Sequence, residues 1–123
     1  MTLTATCHCG DTRIEIPRAP EHATECTCSF CSKRGALWAY YEPSKVRVSA
    51  KEHDAVYSAS GGINQHHFCG KCGCGTYSLT PDWEGFDGET IPEKRKIGVN
   101  IRLLDDFDIA TVPVETIDGR NMW

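Results

Sequence analysis

Eight cysteines fall in three short groups whose spacing is that of metal ligands. They are Cys7-x-Cys9, Cys26-x-Cys28-x-x-Cys31 and Cys69-x-x-Cys72-x-Cys74. Zinc takes four ligands in a tetrahedron, with sulfur at about 2.3 Å, and a short gap between two cysteines lets one turn supply two of them. A fully extended Cys-x-Cys would hold its side chains nearly 7 Å apart, against about 3.8 Å between two sulfurs on one zinc, so the chain must bend there. Gly10, directly after Cys9, serves that bend.

Seven or eight thiolates divide best between two zincs. Cys7, Cys9, Cys69 and Cys72 complete one tetrahedron, a closed structural site that staples the first strand to a distant knuckle flanked by Gly70 and Gly73. Cys26, Cys28 and Cys31 then offer three sulfurs, the ligand count of a catalytic zinc that keeps one position for water or substrate. Three thiolates outweigh the charge of one zinc ion. Such a site suits an electron-rich thiolate better than it suits the activation of water, so thiol chemistry is expected over hydrolysis. Spacing alone leaves two other arrangements open. In one, Cys74 or one of five histidines closes the second tetrahedron and both zincs are structural. In the other, Cys69, Cys72 and Cys74 form a triad and Cys7 and Cys9 join two of the middle cysteines.

Other side chains near these groups are candidates with plainer alternatives. Lys33 and Arg34 could meet the carboxylates of an acidic thiol, or belong to a solvated helical turn. His8, His66 and His67 could orient a ligand or shuttle a proton, or simply pack. His22 and His53 read as surface residues. Trp38, Tyr40 and Tyr41 wall a pocket or fill the core. Cys74 is a small buried hydrophobe or the missing fourth ligand. Asp105, Asp106 and Asp108 lack the loop glycine and terminal glutamate of a calcium site and read as a solvated turn.

Strands must position all of this. Thr12, Ile14 and Ile16 alternate with polar residues, as do Val46 and Val48, and the run Ile97, Val99, Ile101, Leu103 keeps the same period of two. Shorter strands are predicted over 37–41, 55–58, 65–68, 76–79 and 109–114, with turns at Gly61-Gly62, Pro81-Asp82, Asp87-Gly88 and Asp118-Gly119. Helix is confined to turns at 29–34 and 103–107. The fold class is all-β or nearly so, in one domain spanning residues 1–123. The apolar fraction of 40% includes the cysteines, so the core is modest and metal would dominate stability. A net charge of −4 excludes wrapping a nucleic acid or docking on an anionic membrane. The first residues show no secretion signal, and no stretch approaches a membrane span, so a reducing cytoplasmic setting is expected, which favours metal over disulfides. Oligomeric state is not encoded legibly.

With the groups assembled, the sequence resembles the glutathione-dependent formaldehyde-activating enzyme family, which includes the centromere protein V type. The stretches that carry the resemblance are Cys7 to Ile14, Cys26 to Ala36, Tyr57 to Gly62, His67 to Gly73 and the tail Asp118 to Trp123. It implies twisted antiparallel sheets, a structural zinc on Cys7, Cys9, Cys69 and Cys72, and a catalytic zinc on Cys26, Cys28 and Cys31. It also implies a carbon–sulfur lyase that interconverts glutathione plus formaldehyde with S-hydroxymethylglutathione. The alternative is a non-catalytic module, a thiol carrier or a protein-interaction scaffold, with two structural zincs.

Overall fold

The computed structural model describes residues 2–84 and 86–122, so Trp123 of the tail lies outside it. The described residues form ten strands in two sheets. β1 (Leu3–Thr6), β2 (Thr12–Ile16) and β5 (Arg47–Ala50) make a three-stranded sheet in the order β1-β2-β5. The second sheet has seven strands, built from β3 (Ala23–Cys26), β4 (Trp38–Tyr41), β6 (Asp54–Tyr57), β7 (Gln65–Cys69), β8 (Gly75–Pro81), β9 (Arg95–Asn100) and β10 (Val114–Ile117). Its order is β10-β3-β4-β9-β8-β7-β6. Among the described residues helix is limited to α1 (Ser29–Arg34), α2 (Gly119–Met122) and three single 3-10 turns. None of the described helices is long and apolar enough to cross a membrane.

The core lies between the sheets, and strand periodicity selects it. Ala5, Ile14 and Ile16 from the small sheet pack in one buried cluster with Ala39, Tyr41, Tyr77, Ile97 and Val99 from the large one. In β2 the alternation is complete: Thr12, Ile14 and Ile16 are buried while Arg13 is exposed. The opposite face of the large sheet is different in kind. Register places Tyr40, Gly98, Ser78, His66 and Tyr57 in one row across five strands. α1 lies on this face, with the Phe30 ring stacked on His66 at 3.9 Å and on Tyr57 at 5.7 Å.

Three sequence expectations need correction. The alternation through Ile101 and Leu103 continues past the strand, which ends at Asn100. The Asn100 side chain accepts the Arg102 N–H and so opens a 3-10 turn at Ile101–Leu103, with Ile101 still buried. No helical turn forms over 103–107: Leu104 bridges Ala5, Asp105 N–H donates to Thr4 O, and Asp106 takes φ +54°. The apolar run 109–114 is a 3-10 turn capped by Asp108, followed by Pro113 and only then by β10. β10 also pairs parallel to β3, in a fold that is otherwise antiparallel among its described pairs.

Candidate metal centres

The sulfur atoms of Cys7, Cys9, Cys69 and Cys72 all lie within 4.8 Å of one another. Cys9 Sγ is 3.7 Å from Cys7 Sγ and 3.6 Å from Cys69 Sγ, close to the roughly 3.8 Å expected for two sulfurs on one tetrahedral zinc. Two turns of similar design deliver them. Gly10 N–H donates to Cys7 O at 3.0 Å, and Gly73 N–H donates to Cys69 O at 2.8 Å. Both glycines take φ +83°, the left-handed conformation that folds the second cysteine back on the first. The turns also bind each other's surroundings without metal. The Asp11 carboxylate accepts the His53 N–H at 3.0 Å, and His53 O accepts the Gly70 N–H at 2.8 Å.

The four thiols share charge unequally. Cys9 accepts the Asp11 N–H, which favours its thiolate, yet burial and the neighbouring sulfurs push it up to about 11. Cys72 is opposed by desolvation, but N–H groups of Cys74 and Cys9 and the thiols of Cys69 and Cys7 bring it down to about 5. One thiolate is therefore favoured and a second is resisted unless a cation neutralises the nest. The donor set fits a soft or borderline divalent metal.

Cys26, Cys28 and Cys31 form the second group, also within 4.8 Å of one another, with three members among the described residues. Cys26 ends β3, Cys28 caps α1 by accepting the Cys31 N–H at 3.3 Å, and Cys31 lies in the first turn of the helix. Burial and the adjacent thiol of Cys28 push Cys31 up strongly, although the Trp38 indole N–H eases the shift. Burial also raises Cys26. Cys28 is brought down, against its own desolvation, by the N–H groups of Cys31 and Phe30 and by the neighbouring thiols. This cluster, too, favours a single thiolate without a cation.

The structure separates the open alternatives of the sequence. Cys74 sits beside the four-sulfur cluster and accepts the His8 N–H, so it does not close the three-sulfur group. The triad of Cys69, Cys72 and Cys74 does not form, because Cys69 and Cys72 face Cys7 and Cys9. No histidine joins either group among the described residues. His66 Nδ1 pairs with Ser78 Oγ at 2.8 Å, and His67 Nδ1 pairs with Asp54 at 3.0 Å while its ring stacks on Tyr77. His22 is exposed, and His53 is partly exposed, with its ring near Glu52. Asp105 is exposed and accepts the Thr6 hydroxyl at 2.9 Å.

The aromatic residues divide by strand face. Tyr41 faces the core, and its hydroxyl donates to Arg18 O at 3.1 Å. Trp38 and Tyr40 lie on the other face, over Gly98, where an added Cβ would stand 3.3 Å and 3.0 Å from their rings. Desolvation, and then the nearby thiols of Cys31, Cys26 and Cys28, raise the Tyr40 phenol, although the residue as a whole stays partly open to solvent.

Lys33 and Arg34 differ. Lys33 is exposed. Arg34 is half-buried, with its guanidinium 5.2 Å from the Phe30 ring centre and 4.9 Å from that of Phe68. Gly75 makes room for it, since a Cβ there would meet Arg34 Nε at 3.0 Å. Arg34 forms no ion pair with a carboxylate among the described residues. Both cations line a cleft of about 510 Å³ together with Ser29, Phe30, Tyr57 and Ala59. The sequence reading missed Gly75, Gly98 and Ser78, since a glycine that admits a neighbour looks in sequence like a glycine that makes a turn.

The family model described as glutathione-dependent formaldehyde-activating enzyme matches residues 2–109. A Halomonas elongata protein carrying the same family name is 28% identical over 93 residues, which is 68% of this chain and 59% of that protein. The chain thus matches about three fifths of that relative's length. A crystal structure of a Rhodobacter sphaeroides protein superposes with a TM-score of 0.69 at 29% identity, over 91% of this chain and 99% of that one.

Proposed function

The chain belongs to the glutathione-dependent formaldehyde-activating enzyme family, and from that premise we propose that it interconverts an acidic thiol and an aldehyde with their hydroxyalkyl thioether. Glutathione and formaldehyde are the substrates the family name implies, and S-hydroxymethylglutathione is their adduct. The reading is carried by one observation: three converging sulfurs at the start of α1, the helix that ends in the half-buried guanidinium of Arg34, which pairs with no carboxylate among the described residues. Cys7, Cys9, Cys69 and Cys72 would hold one zinc as a staple, and Cys26, Cys28 and Cys31 would hold a second, three protein ligands being the number that a catalytic zinc takes. When bound there, zinc supplies acidification of an incoming thiol, so that the nucleophile exists at neutral pH.

The remaining steps belong to the chain and the substrates. Arg34, pinned between two rings, receives a substrate carboxylate with little loss of side-chain freedom, and Lys33 adds a second, mobile charge. The thiolate lone pair forms the new C–S bond and the carbonyl π pair moves to oxygen, which takes up from solvent the equivalent of the proton that the thiol released to it. Tyr40 donates a hydrogen bond to that oxygen as its charge develops. The reverse sequence breaks the C–S bond, which makes the reaction that of a carbon–sulfur lyase.

The test is Cys28→Ala in the full chain, followed by metal analysis and by NMR exchange between glutathione and its hydroxymethyl adduct. The expected result is a fall from two zincs to one and loss of enzyme-dependent exchange. Unchanged exchange overturns the mechanism, and two zincs in the variant overturn the ligand assignment.

A further inference from the structure

The C-terminal segment lies beyond the residues matched by the family model, yet its backbone packs directly on the three-sulfur group. β10 runs beside β3 with Ile117 opposite Cys26, so the chain passes the end of β3 at the first sulfur. Thr27 fastens it there. The Thr27 N–H and hydroxyl both donate to Ile117 O, at 3.1 and 3.3 Å, and the hydroxyl oxygen accepts the Arg120 N–H at 3.3 Å. Asp118 then accepts the Asn121 N–H at 3.2 Å and its side-chain amide at 2.9 Å, which closes the turn.

Gly119 is the point of contact. It is buried, and a Cβ built on it would stand 2.6 Å from Cys26 Sγ, 2.9 Å from Cys28 Cβ and 3.0 Å from Cys28 N. Its φ is not in the left-handed region, so conformational freedom does not require glycine here; space does. A methyl group could be accommodated only by moving a sulfur or the backbone that carries one, because two of the three neighbours are not the ends of flexible chains.

We propose that the segment from Val114 to Asn121 is a strap that positions the three-sulfur site, with Gly119 setting where Cys26 and Cys28 stand relative to each other. This rests on the metal reading proposed above. Gly119 is a positioning residue: it holds the ligands and does not touch the reacting atoms.

The experiment measures metal affinity rather than turnover. Wild-type full-length chain and the variants Gly119→Ala, Thr27→Val, Thr27→Ser and Arg120→Ala are titrated with Co2+ against a chelator, reading the thiolate-to-cobalt absorption. Wild type is expected to take up two ions. In Gly119→Ala the affinity of the second ion falls by roughly 10- to 100-fold, the range for groups that orient metal ligands, while the first is unchanged. Thr27→Val, which removes the hydroxyl's part of the latch and leaves the backbone N–H bond to Ile117 O, shifts the same affinity in the same direction, and Thr27→Ser restores it. Arg120 offers only its backbone to the latch, so Arg120→Ala leaves both affinities as they are. If Gly119→Ala does not fold, the two Thr27 variants decide. Wild-type affinity in Gly119→Ala, or an equal loss in Arg120→Ala, overturns the strap and leaves the three-sulfur reading standing. A single ion in the wild type overturns both.

Discussion

The Asp11 carboxylate is nearly buried and accepts two backbone N–H groups, Glu52 at 3.2 Å and His53 at 3.0 Å. Burial raises its pKa, but those N–H groups and the charges of His53 and Lys51 outweigh it and hold the carboxyl below the usual range. Stability from this group is therefore fully present above the unfolded value of about 4 and is lost as pH falls through the lower folded value. Asp11→Asn is expected to lower Tm at pH 7, with the gap to wild type narrowing below about pH 4. Equal Tm values at neutral pH would refute the role. His66 has the opposite charge logic. Burial first, then the charge of Arg34 and the proximity of His67, lowers its pKa, so the folded protein keeps it neutral. The unfolded chain takes up that proton first as pH falls below about 6.5. Wild type thus loses stability from that pH downward until the folded pKa is passed. His66→Gln, which retains a partner for Ser78, should lack this component; calorimetry from pH 8 to 5 on both proteins would expose it, and parallel curves would count against it.

At the level of elements, the two turns that present the four sulfurs depend on glycine for conformation alone. An added Cβ at Gly10 or Gly73 meets nothing within 4 Å, so Gly→Ala at either costs only the left-handed backbone, about 1–2 kcal/mol. Denaturant unfolding of Gly10→Ala and Gly73→Ala should show losses of that size with both metals retained, and Asn in place of Ala should recover part of it. Loss of metal from either variant would mean that the turn and the sulfurs are more tightly coupled than open space implies. Legibility from sequence follows the same local logic. α1 lies where 29–34 is predicted, the alternation of β2 was readable because that strand buries one face, and the short runs of β4, β6 and β7 were readable from their aromatic and β-branched residues. β1 and β3 were not readable. Leu3–Thr6 carries little apolar signal and is held by its ladder to β2, and Ala23–Cys26 is held between β4 and β10. Partners distant in sequence make those strands, and a single window does not contain them. The same holds for the site. Spacing grouped the cysteines, but the place of Cys74, the clamp on Arg34 and the approach of Gly119 are all contacts across the chain.

For the whole molecule, the question is what joins the small sheet to the large one. The shared apolar cluster is one link, the hydrogen bonds from Asp11 through His53 to Gly70 are another, and the four-sulfur group is a third, since Cys7 and Cys9 follow β1 while Cys69 ends β7. A structural zinc contributes about 10–16 kcal/mol of apparent binding energy at neutral pH, comparable with the 5–15 kcal/mol that holds an entire ordinary domain. The three-sulfur group is different: β3, α1 and the strap are already joined by backbone pairing and by the Thr27 latch, so metal there adds little to the joining of the sheets. Stripping with a strong chelator should therefore proceed in two stages. The first equivalent leaves with far-UV circular dichroism unchanged, and the second leaves together with cooperative unfolding. Cys28→Ala, carrying one metal, should begin at the second stage and remain folded until it, whereas Cys9→Ala should be unfolded or molten before any chelator is added. Unfolding on loss of the first equivalent would show that the three-sulfur metal also holds the fold, and a folded Cys9→Ala protein of wild-type Tm would show that the sheets stay joined without the four sulfurs, which are then not the staple.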